Sequence, residues 1–110
     1  MTSKKTSFFR LDIYVPETHL DVLKQALFAA GAGKVGSYDS CCWMTRGSGQ
    51  FRPLEGSAPF LGTAGKVEQV PEWKLEMIFP QECRDRILQA IRRYHPYETP
   101  AFQYWAVHIS

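Results

Sequence analysis

Hydrophobic and polar residues alternate one by one from Phe9, with Phe9, Leu11, Ile13 and Val15 on one side of the chain and Arg10, Asp12 and Tyr14 on the other. A period of two belongs to a half-buried β-strand, and Pro16 closes it. Beyond Pro16 the spacing changes. Leu20, Leu23, Leu27 and Ala30 recur every three or four residues, Val22 and Ala26 widen the stripe, and Glu17 sits in the first turn. An amphipathic helix is predicted, its acidic start favoured by the helix dipole and its end marked by Gly31. Ser37 to Thr45, rich in aromatic and small apolar residues, is predicted as a second strand with imperfect alternation. Arg46 to Lys66 carries five glycines and two prolines, so it is predicted as a long loop, tied down by Phe51, Leu54, Phe60 and Leu61.

Alternation returns at Glu72. Trp73, Leu75, Met77 and Phe79 face one way and Glu72, Lys74 and Glu76 the other, until Pro80 ends the run. Cys83, Ile87, Ala90, Ile91 and Tyr94 then mark a second amphipathic helix, stopped by Pro96. Ala101 to Ile109 forms the last predicted strand, with Trp105, Val107 and Ile109 on one face and Phe102 and Tyr104 on the other. The order β-α-β-β-α-β defines an α+β fold, the ferredoxin-like split β-α-β sandwich: an antiparallel sheet with both helices on one face and a long loop between the second and third strands. The sheet's second face, left without helices and supplied with aromatics, is expected to be apolar and to pack against copies of the chain.

The chain has 110 residues, 45% of them hydrophobic and 22% charged. Area scaling gives roughly 6,200 Å² exposed when folded against about 18,000 Å² unfolded, enough burial for one domain and too little for two. Residues 8–110 are therefore expected to form a single domain behind a polar, disordered tail at 1–7. No apolar run approaches the length of a membrane span or a signal-peptide core, so a cytoplasmic protein with no membrane partner is expected. The net charge is +2 and the basic residues are scattered, which argues against nucleic acid. Cys41, Cys42 and Cys83 make neither a disulfide framework nor a C-x-x-C zinc site.

Two strings carry more specific information. One runs from Gly47 to Gly56 (GSGQFRPLEG) and continues through Pro59, Phe60, Leu61 and Gly62; the other runs from His95 to Ala101 (HPYETPA). With Tyr38-Asp39 and the helix end at Ala30 to Gly33, they resemble the PII-like, or CutA-like, insertion domain of the Nif-three-like family, also called GTP cyclohydrolase type-two-like. The resemblance covers about Phe9 to Ile109. It implies the same fold, a stand-alone small domain, and a homo-oligomer with a trimer favoured, since PII and CutA proteins are trimers. The family's di-metal activity lies in body domains this chain lacks, so no catalytic activity is implied. Thr99 stands where the family pattern has a second glutamate, one carboxylate fewer where a metal would sit.

Two candidate sites follow. In the long loop, Gly47, Gly49 and Gly56 would let backbone N–H groups turn toward an anion, with Phe51 as an apolar contact and Arg52 as a planar fork for carboxylate or phosphate. The structural alternative makes the glycines turn residues and pairs Arg52 with Glu55 or Glu98. In the second string, Tyr97 and Glu98 would contribute to ligand binding. His95 and Glu98 are a partial set for a divalent metal, to be completed by Asp39, Cys41, Cys42 or another subunit. The alternative is a rigid helix-to-strand connection. The expected function is a non-catalytic ligand-sensing or protein-interaction module taking a small anionic ligand or a protein partner. A CutA-type metal-binding protein is the rival reading, and no cofactor is otherwise implied.

Overall fold

The structure, a computed structural model, describes residues 7–109. Strand β1 (Phe8–Pro16) leads through a 3-10 turn (Glu17–His19) into helix α1 (Leu20–Ala29). Strands β2 (Trp43–Phe51) and β3 (Glu68–Pro80) follow, then a second 3-10 turn (Gln81–Cys83), helix α2 (Arg84–Tyr94) and strand β4 (Phe102–Val107). The four strands form one antiparallel sheet in the order β2-β3-β1-β4. This is the predicted split β-α-β sandwich. Of the expected tail at 1–7, only Ser7 lies within the described residues; its carbonyl accepts a hydrogen bond from the Gln81 N–H at 2.8 Å.

The core is the alternation made physical. Leu11, Ile13 and Val15 of β1 lie beside Leu75, Met77 and Phe79 of β3, and Leu23 and Leu27 of α1 with Ile87, Ala90 and Ile91 of α2 close over them. Helix α1 ends in a Schellman motif, with Gly31 N–H donating to the Phe28 carbonyl and Ala32 N–H to that of Leu27. Gly31 has φ +112°, and a Cβ there would meet the Cys83 sulfur at 2.5 Å, so both backbone and packing require glycine. Helix α2 ends where Pro96 forces His95 into an extended conformation with ψ 130°.

Two expectations are corrected. The second strand lies later than the pattern suggests, at 43–51 rather than 37–45. Gly36 and Ser40 take left-handed φ of 56° and 57°, which breaks an extended run before Trp43. Gly47 and Gly49 instead belong to β2, and the loop shrinks to residues 52–67. A sheet's edge strand tolerates these glycines, because it is paired on one side only. The second correction concerns the open face of the sheet, which is not uniformly apolar. Arg10, Asp12, Lys74 and Glu76 form an ion-pair lattice at its centre, flanked by exposed Trp43 and Trp105.

One feature of register builds the site. Strand β3 pairs with β1 only as far as Pro16 opposite Glu72, yet it pairs with β2 as far back as Glu68 opposite Phe51. Pro71 interrupts nothing on the β1 side, since β1 has already ended. The β2–β3 ribbon therefore projects beyond the sheet, stretching the molecule to 60 × 25 × 21 Å. No helix among the described residues is long and apolar enough to cross a membrane.

Candidate binding cleft

Where β1 ends, the projecting ribbon, the loop at 52–67 and the connection from α2 to β4 enclose a cleft of about 390 Å³. Its lining is mostly apolar, with Phe51, Leu54, Phe60 and Tyr97 prominent, and three charged residues, Arg52, Glu72 and Glu98, reach it.

His95 anchors the connection. The Tyr97 N–H donates to Nδ1 at 3.2 Å, so the proton resides on Nε2, which donates to the Tyr14 carbonyl at 2.6 Å. His95 is buried, and burial holds its pKa below the usual histidine value despite the Tyr14 carbonyl and the charge of Glu72. Both ring nitrogens are used within the chain, which leaves no lone pair for a metal in this arrangement. The predicted convergence of His95 and Glu98 on a metal is therefore not what the connection displays. Among the described residues, no group of three or more His, Cys, Asp or Glu is placed to hold a metal ion.

Tyr97 is the hub of the wall. Its ring lies 5.0 Å from that of His95, 5.7 Å from Phe51 and 6.3 Å from Phe60, and Phe60 in turn meets His19 edge-on at 5.4 Å. The phenol donates to Glu72 Oε2 at 2.8 Å. Burial first, then this bond and the charge of Glu72, keep it protonated well above the ordinary tyrosine range. The Glu72 carboxylate lies across β2 at Gly49, where a Cβ would clash with Oε1. Gly49 thus makes room for a side chain of the site.

The loop is fastened at named points. Glu98 Oε1 accepts from the Ala58 N–H at 3.1 Å, and the Gly65 N–H donates to the Pro53 carbonyl at 2.7 Å. Leu54 to Ser57 makes a tight turn, closed by the Ser57 N–H on the Leu54 carbonyl at 3.1 Å, with Gly56 at φ +90°. Gly56 is therefore a turn residue. Gly47 and Gly49 pair in β2 rather than curling around an anion. Arg52 is exposed and has no carboxylate within ion-pair distance among the described residues, so the pairing with Glu55 or Glu98 is absent.

Of the residues predicted from sequence, Phe51, Arg52, Tyr97 and Glu98 come together at the cleft. Cys41 and Cys42 precede β2 and do not line it; burial raises the Cys42 thiol pKa. Cys83 ends the second 3-10 turn at the N-cap of α2, and its sulfur accepts from Arg86 Nη2 at 3.1 Å. Glu72 was not singled out. Its signal would have been register, because only the pairing of β2 with β3 brings a carboxylate over a glycine.

This architecture, an antiparallel four-stranded sheet under two helices, is a PII/CutA-like α+β fold; CutA1 from Shewanella sp. SIB1 shares it with a TM-score of 0.66 at 15% identity, over 97% of this chain and 87% of that one. A Bacillus cereus protein related to NIF3 superimposes more closely, with a TM-score of 0.81 and 30% identity over 97% of this chain and 27% of that one. In sequence, the GTP cyclohydrolase 1 type 2 homolog of Mycobacterium leprae is 42% identical over 95 residues, 86% of this chain and 25% of the relative. The chain is thus the counterpart of one segment of the Nif3-like GTP cyclohydrolase 1 type 2 homologs, and it spans about a quarter of the length of the curated relatives it matches. No family model matches the chain.

Proposed function

We propose that this domain is a non-catalytic binding module whose cleft takes a small ligand with an apolar body and an anionic group. Arg52 carries the reading: it stands exposed at an apolar cleft, without a carboxylate partner among the described residues. An unpaired guanidinium beside aromatic surface suits a planar anion, which it can grip with two parallel hydrogen bonds. The cleft volume of about 390 Å³ lies within the range of small-molecule sites. Ligand seated there would bridge loop 52–67 and the α2–β4 connection, so binding can be passed to a partner through the loop's position.

Homo-oligomerisation belongs to the same proposal. Trp43 and Trp105 are 69% and 43% exposed on the open face, and β2 and β4 leave two strand edges uncovered. The trimer implied by the resemblance would cover them. A divalent-metal role ranks below, because His95 would first have to release a hydrogen bond.

The test is an NMR titration of the ¹⁵N-labelled chain with 3-phenylpropionate. Saturable shifts at amides of 51–61 and 97–99, weakened in Arg52→Ala, are expected. Shifts that ignore the cleft, or that persist unchanged in Arg52→Ala, contradict the proposal.

A further inference from the structure

The charges that reach the cleft are unequal: one guanidinium against two carboxylates. Glu72 and Glu98 have no basic residue within ion-pair distance among the described residues. Each accepts one hydrogen bond from a neutral donor, Glu72 from the Tyr97 hydroxyl and Glu98 from the Ala58 N–H. A carboxylate has about four acceptor positions, so both keep acceptor capacity for a cationic donor. A plain anion would satisfy Arg52 but meet two like charges, and a polyphosphate would meet them more strongly. A plain amine would leave Arg52 unanswered.

We infer that the cleft recognises a zwitterion with an apolar body, the chemistry of a free hydrophobic amino acid, with its carboxylate on Arg52, its ammonium on the carboxylates of Glu72 and Glu98, and its side chain against Phe51, Phe60 and Tyr97. Charge-assisted hydrogen bonds at both ends give selectivity over analogues lacking either group. The fixed parts of the cleft suit this reading: Gly49 lets Glu72 lie inward, and the Tyr97 hydroxyl orients it. The inference rests on the cleft being a binding site, as proposed above.

The experiment is an NMR titration of the full chain with L-phenylalanine and L-leucine beside 3-phenylpropionate, which lacks the ammonium, and phenethylamine, which lacks the carboxylate. The amino acids are expected to shift the cleft amides, with each analogue at least about tenfold weaker. Glu98→Gln keeps an acceptor for the Ala58 N–H while removing the charge. It is expected to weaken the amino acids several-fold and to leave 3-phenylpropionate no weaker; Arg52→Ala weakens both. Equal binding of 3-phenylpropionate and L-phenylalanine overturns the zwitterion alone and leaves the anion-binding cleft standing. No saturable shift at the cleft with any of the four compounds overturns both.

Discussion

His95 shows how much one residue can fix. It is 5% exposed, and its two ring nitrogens tie the connection at Tyr97 to the end of β1 at Tyr14. Protonation would place a second proton on Nδ1, opposite the Tyr97 N–H, and would charge a buried ring. Its folded pKa lies below the ordinary value of 6.5. The neutral form is thus favoured by folding: the contribution is complete above the unfolded pKa and is lost as pH falls toward and through the folded one. Glu72 and His19 face the ring with opposing effects. The expected result is a melting temperature that declines between pH 7.5 and 5, with a smaller decline in His95→Gln, measured by circular dichroism. Gly49 is a second such residue. Gly49→Ala is expected to displace the Glu72 carboxylate and cost about 1–2 kcal/mol, chiefly through the lost Tyr97 bond. Tyr97→Phe removes the same bond, so the double variant should cost less than the sum of the singles in urea denaturation.

At the scale of elements, the strands with a strict period of two were legible in the sequence because their neighbours enforce it. Leu11, Ile13, Val15, Leu75, Met77 and Phe79 all face the helices from the two central strands. Strand β2 was misplaced because an edge strand answers to fewer neighbours. Its residues are largely exposed, so no apolar alternation marks it, and Gly49 makes room for Glu72 across the ladder rather than forming a turn. Phe51, Arg52, Tyr97 and Glu98, singled out from their motifs, line one cleft. Glu72 was not singled out, because its role exists only once the register of β2 with β3 is fixed. The loop at 52–67 contributes none of the buried core hydrophobics. Replacing 55–65 by a short glycine-serine linker is therefore expected to lower stability by less than a core truncation such as Ile87→Ala, which should cost about 2–5 kcal/mol. Comparing the two variants by chemical denaturation checks this ordering.

The whole molecule exposes 7,561 Å², against the roughly 6,200 Å² that area scaling assigns to a compact monomer of this size. A projecting ribbon and an open sheet face are the reasons in the shape, with extents of 60 × 25 × 21 Å. The ion-pair lattice of Arg10, Asp12, Lys74 and Glu76 at the centre of that face implies that any partner copy must present polar groups there and apolar ones at Trp43 and Trp105. Light scattering at micromolar concentration is expected to give a trimer. Trp43→Glu should lower the assembly state, whereas a monomeric wild type would remove the oligomer from the proposal. The residues that line the cleft, in contrast, all belong to one chain, so binding is expected to survive in the monomeric variant.

The most direct measurement is a crystal of the wild-type chain soaked with small carboxylic acids and hydrophobic amino acids. The expected result is ligand density among Phe51, Phe60 and Tyr97 with a carboxylate on the Arg52 guanidinium. An empty cleft, with Arg52 turned back onto Glu55 or Glu98, would contradict the assignment of this cleft as a binding site.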